Sequence, residues 1–123
     1  MNSKLKSLSP ILYTQDLEQT ISFYETVLGF KKQGQFPNFV SLSKDNVEIM
    51  FVLPSEESFL KPKLTGSIFI TMEKVDELWE AIKNNVTIKD SINDREYLMR
   101  DFSILDNNGY ELVFGEDIST RSK

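Results

Sequence analysis

The chain has 123 residues with no histidine and no cysteine, and it carries a net charge of −5 from 14 basic and 19 acidic side chains. That length suits one domain, and 40% hydrophobic with 27% charged residues suits a globular chain. The acidic balance argues against the basic face that a nucleic-acid partner requires. No apolar run approaches the roughly 18 residues of a membrane span, so no membrane partner is expected. MNSKLKSLSP lacks the apolar stretch of a secretory signal and there is no cysteine for disulfides, so the cytoplasm is the expected compartment.

In chain order, LSPILYT at 8–14 reads as a short strand. Asp16 is placed to cap a helix over 16–28, with Gln19 at the capping-box position. Leu17, Ile21, Tyr24 and Leu28 make one apolar stripe along it, and Gly29 closes it. Phe23 and Tyr24 are expected to pack rather than to contact a ligand. Strands are expected near 30–35, 38–43 and 47–53, the last two joined by Lys44-Asp45-Asn46. The stretch PSEESFLKPKLT within 54–65 has two prolines and no period, so it reads as a connection.

A second unit of the same kind follows. GSIFITM at 66–72 reads as a strand, and Val75, Leu78, Trp79 and Ile82 give the stripe of a helix ending near Asn84-Asn85. More strands follow, with 99–105 and 110–115 joined by Asp106-Asn107-Asn108-Gly109, in which Asn-Gly is the turn signal because both residues accept positive φ. Laid without gaps, FVSLSKDNVEIMF (39–51) covers FSILDNNGYELVF (102–114), so that Phe39 meets Phe102, Leu42 meets Leu105, Glu48 meets Glu111 and Phe51 meets Phe114. The same turn and the same alternation recur, which points to a duplicated module. The expected fold class is α+β in a single domain. Module one spans about 7–53, the connection 54–65, and module two about 66–116.

Several chemistries fail on residue types alone. Without histidine there is no Ser–His–Asp triad, and without cysteine there is no thiol nucleophile. The five glycines form no phosphate-binding loop. Glu48 and Glu111 could serve as general acid and base if they face one cavity, or could be simply solvated on an exposed strand face.

Asp16-Leu17 followed by Phe23-Tyr24, then Val27-Leu28-Gly29-Phe30, resembles the vicinal oxygen chelate superfamily of glyoxalases, extradiol dioxygenases and bleomycin-resistance proteins. Arg100-Asp101-Phe102 and Asp106-Asn107-Asn108-Gly109-Tyr110 resemble its terminal hairpin. The resemblance implies two βαβββ modules forming a cupped mixed sheet, helices on the outer face, and a cavity completed in a homodimer. It also implies four ligand positions in metal-dependent members. Here these fall near Ser9, at Glu48 or Met50, near Ser67, and at Val113 or Glu111. Serine hydroxyls are poor ligands and no imidazole is present, so no metal and no cofactor are expected.

Strand alternation puts Ser9, Ile11 and Tyr13 on one face, Glu48, Met50 and Val52 on another, and Ser67, Phe69 and Thr71 on a third. If those faces point inward, the ligand-binding residues are Tyr13, Phe39, Glu48, Met50, Phe69, Tyr97, Met99 and Glu111. The expected function is metal-free binding of a planar or cationic small organic ligand, of the bleomycin-resistance type. The alternatives are a metal-dependent, glyoxalase-like lyase or dioxygenase with oxygen-only ligands, and a protein whose cavity is filled by its own side chains.

Overall fold

The computed structural model describes residues 3–54 and 63–121. The first module runs β1 (Ile11–Tyr13), α1 (Leu17–Thr26), β2 (Lys31–Phe36), β3 (Phe39–Lys44) and β4 (Val47–Val52). The second runs β5 (Ser67–Thr71), α2 (Val75–Ile82), β6 (Thr87–Asp94), β7 (Met99–Leu105) and β8 (Glu111–Asp117). Each module builds a four-stranded mixed sheet, in the orders β1-β4-β3-β2 and β5-β8-β7-β6. Only β1–β4 and β5–β8 are parallel, because the helix crosses between them, whereas the tight hairpins force the other pairs antiparallel. The fold is therefore α+β with two βαβββ modules, as the repeat implied. Of the connection expected over 54–65, residues 55–62 lie outside the described residues.

Helix α1 starts as its sequence dictates, with one substitution of partner. Asp16 Oδ1 accepts the Gln19 amide at 2.9 Å. The reciprocal bond of a capping box is made instead by Thr14 Oγ1, which accepts the Asp16 amide at 3.2 Å. The helix ends at Thr26, two residues short of the expected 28, because Gly29 takes φ +76° and lets the Phe30 amide reach back to the Tyr24 carbonyl at 2.9 Å. Lys44 Nζ donates to the freed Leu28 carbonyl at 3.3 Å. Leu17, Ile21, Tyr24 and Leu28 are all buried, as their spacing required.

Helix α2 is started differently. Lys74 stands at its cap in the left-handed region (φ 58°, ψ 49°) and makes no side-chain cap. Glu116 Oε1 on β8 accepts the Val75 amide at 3.2 Å and takes over that role. Arg100 on β7 clamps the first turn by bonding both oxygens of Asp76 while Nη1 reaches Asp94 at 3.0 Å. Trp79 lies against Phe102 at 5.1 Å between ring centroids, which seats the helix on its sheet.

Two sequence expectations are corrected. Asn108 does not take positive φ; Gly109 alone does in that hairpin, at +87°. The Gly109 amide bonds the Asp106 carbonyl at 3.0 Å, so the connection is a turn followed by a left-handed glycine rather than a two-residue Asn-Gly turn. That loop is longer than Asp45-Asn46 between Lys44 and Val47, so the ungapped repeat slips by one residue on β3 and β7. The ladders equate Val40 with Phe102, Ser41 with Ser103 and Leu42 with Ile104, all buried in both modules. A slip of one residue would have turned each of these side chains to the wrong face.

The modules share one hydrophobic core. At the seam between them Tyr24 OH donates to Asp106 Oδ2 at 2.6 Å, and Tyr110 OH donates to the Tyr13 carbonyl at 2.5 Å. Thr14 Oγ1 donates to Asn108 Oδ1 at 2.8 Å, and Asn107 Nδ2 donates to Thr20 Oγ1 at 2.9 Å.

Candidate functional site

In the first sheet α1 covers the face carrying Val40, Leu42, Ile49 and Phe51, whose ring lies 5.1 Å from that of Tyr24. Alternation turns Tyr13, Phe39, Glu48 and Met50 to the opposite face, where Tyr13 and Phe39 both stand level with Val52. Strand pairing thus brings four of the eight expected residues onto one surface. Glu48 is its organised element. Ser9 Oγ donates to Glu48 Oε1 at 2.7 Å, and Ser41 Oγ donates to Oε2 at 2.5 Å. The Ser41 bond, then the Ser9 bond, hold the Glu48 carboxyl below the usual glutamate range, so it is anionic at neutral pH. Around it Ile11 and Tyr13 remain 60% and 49% exposed.

The corresponding face of the second sheet forms a concavity of about 370 Å³. Phe69, Tyr97 and Glu111 line it together with Arg95 and Asp101. Asp101 is 3% exposed. Its Oδ1 accepts Arg95 Nε at 2.8 Å, and its Oδ2 accepts Tyr97 OH at 2.6 Å. The bond to Asp101 raises the Tyr97 hydroxyl above its ordinary pKa and keeps it a donor at neutral pH. Met99, two residues before Asp101 on β7, stands on the same face by alternation. A side chain at Gly115 would meet Phe69 Cζ at 2.7 Å and Met99 Cε at 3.2 Å, so the missing Cβ is what lets Phe69 and Met99 approach the strand there. The eight expected residues therefore fall four to each sheet.

The four expected ligand positions reduce to two equivalent pairs. Ser67 pairs with Glu111 across β5 and β8, as Ser9 meets Glu48 in the first module. Glu111, not Val113, is thus the counterpart of Glu48. The donor set does not fit a divalent ion of the kind the resemblance implies. Both Glu48 oxygens accept serine hydroxyls, Glu111 faces Lys89 Nζ at 3.6 Å, and imidazole is absent from the chain. Among the described residues no group of three or more Asp or Glu is arranged to hold a metal.

Sequence reasoning did not single out Ser41 or Arg95, and it marked Asp101 only as part of the terminal-hairpin resemblance, not as a site residue. Ser41 and its counterpart Ser103 become visible once the repeat is registered with the extra loop residue. Arg95 and Asp101 belong to the charged run NDREYLMRD, which in sequence resembles a solvated surface.

Two mixed sheets of βαβββ topology, each with an exposed face opposite its helix, define a paired-module protein of the vicinal oxygen chelate class. A family model for the glyoxalase/bleomycin resistance protein/dioxygenase superfamily matches residues 6–114, and the chain belongs to that superfamily. A search of curated proteins finds no match. Among solved structures the chain is similar to a superfamily member from Sphaerobacter thermophilus at 23% identity and TM-score 0.76, covering 93% of this chain and 98% of that one. A glyoxalase/bleomycin resistance protein/dioxygenase from Alicyclobacillus acidocaldarius is similar at 19% identity and TM-score 0.76, with 98% of each chain covered. TioX from Micromonospora sp. ML1 is similar at 16% identity and TM-score 0.76, covering 90% of this chain and 98% of that one. At these identities the likeness is one of fold.

Proposed function

We propose that this protein binds a planar or cationic small organic molecule on the faces opposite its helices, without a metal, in the manner of the bleomycin-resistance branch of its superfamily. The carrying observation is Glu48, an anion fixed by two serine hydroxyls among the apolar side chains of Ile11, Tyr13 and Met50. A pre-oriented carboxylate beside an aromatic ring suits a flat cation, since the ring offers its face and the carboxylate a fixed counter-charge. The second face adds Phe69, Tyr97, Met99 and Glu111, with Arg95 held in place by Asp101.

A second copy of the chain completes the site in this reading, and the cytoplasm is its compartment. Ile11, Tyr13, Phe36, Phe69 and Tyr97 are each between 46% and 67% exposed, a concentration of apolar surface that a homodimer would cover while enclosing a ligand. The test is calorimetric titration with planar aromatic cations such as proflavine. Tyr13→Ala and Glu48→Gln should each weaken binding by about tenfold, the equivalent of about 1.4 kcal/mol. Binding that is indifferent to both substitutions would refute the reading.

A further inference from the structure

The duplicated module creates two seams between its halves, and they have been finished differently. Equating β1 with β5 and α1 with α2 by their ladder partners and first helical residues makes Thr14 the counterpart of Met72, Thr20 of Leu78, and Tyr24 of Ile82. At the first seam Thr14, Thr20 and Tyr24 all bond the 106–108 turn through their hydroxyls. At the second seam the facing turn is Asp45-Asn46, and Met72, Leu78 and Ile82 have no hydroxyl to offer it. A cavity of about 660 Å³ stands there, lined by Met72 and Leu78 on one side and by Asp45 and Val47 on the other. Its volume falls in the range of small-molecule pockets.

The chemistry of the lining selects the occupant. Leu28, Phe30, Val47, Ile70, Met72 and Leu78 supply an apolar floor. Asp45, Glu73, Glu116 and Asp117 stand around it against the single ammonium of Lys44, and Arg121 lies 3.6 Å from Glu116. The Asp117 carboxyl is held below its ordinary range by the Ser119 bonds and stays ionised. We infer that this second seam is a ligand site, separate from the exposed sheet faces, for a small organic cation with an apolar body. The apolar part lies on the floor between the modules and the positive group meets the Asp45 and Glu73 side. The inference does not depend on the reading of Glu48.

The test is a titration of isotopically labelled protein with benzyltrimethylammonium, followed by amide chemical shifts. Saturable shifts are expected at residues 44–47 and 71–73. Tetramethylammonium, which lacks the apolar body, should bind more weakly. Asp45 and Glu73 are both exposed, so the double charge reversal Asp45→Lys, Glu73→Lys leaves the core intact. It should weaken benzyltrimethylammonium by at least about tenfold and favour phenylacetate instead, since a like charge disfavours binding as an opposite one favours it. Glu48→Gln should leave the benzyltrimethylammonium affinity read from the titration at 71–73 unchanged. Absence of shifts at 44–47 and 71–73, or shifts that the double reversal does not alter, would overturn the inference.

Discussion

Glu48, Tyr24 and Tyr110 show how single side chains on this fold are tuned by their partners. Glu48 has a depressed carboxyl pKa in the folded state because Ser41 and Ser9 donate to it. Its contribution to stability is therefore present above the unfolded value of about 4.3 and is lost as pH falls through the lower folded value. Ser41→Ala should move the Glu48 titration, followed by carboxyl carbon shifts, back toward that value; an unmoved midpoint would mean the serines do not set it. The tyrosines run the other way. Burial raises both, and Tyr110 is pushed up to about 12. A raised folded pKa gives stability that is complete below the unfolded value of about 10 and is lost as pH rises toward 12. Denaturant unfolding at pH 9, 10.5 and 12 should show that decline, and a flat profile would contradict it. Tyr24→Phe removes the only side-chain donor described at buried Asp106 Oδ2 and should cost about 1–3 kcal/mol in urea unfolding. No loss would mean that the bond to Asp106 adds nothing to the seam.

The two helices, equivalent in the repeat, are held by different means. Asp16 caps α1 through its own side chain, so Asp16→Ala should cost about 1 kcal/mol. Lys74 caps nothing and sits in the left-handed region. Lys74→Gly should hold or raise stability, by up to about 1 kcal/mol, while Lys74→Val should lower it. Thermal melts of the three variants check both expectations, and a Lys74→Gly variant much weaker than the parent would show that the lysine side chain matters after all. Both helices were legible in the sequence because an apolar stripe and a breaker such as Gly29 are local signals. The partners that anchor them were not. Glu116 reaches Val75 and Arg100 reaches Asp76 across a module, and neither bond leaves a trace in spacing.

At the scale of the molecule, alternation was enough to group Glu48 with Met50 within one strand and Ser67 with Phe69 within another. Strand pairing was needed to bring Tyr13 onto the face of Glu48 and Glu111 onto that of Phe69. Alternation could not register the repeat, because the extra residue in the 106–109 turn flips the correspondence of β3 and β7 while leaving that of β4 and β8 intact. Nor could it tell that Asp101 is buried under Arg95 and Tyr97, since burial of a carboxylate depends on partners that only the fold supplies. The proposed dimer belongs to this scale as well. Light scattering at micromolar concentration should give twice the mass of one chain, and the mass of a single chain would reject it.

The central claim is that the exposed faces bind an organic ligand and not a metal. It is tested most directly by thermal melting in the presence of each. A ligand bound only to the folded state stabilises it by about 2.7 kcal/mol at a hundredfold excess over Kd, which moves the melting temperature of a domain this size by several degrees. A planar aromatic cation should raise the melting temperature of the parent and raise that of Glu48→Gln less, while nickel, zinc and manganese leave both unchanged. A metal-induced rise that Glu48→Ala abolishes would contradict the account and return the protein to the metal-dependent enzymes of its superfamily.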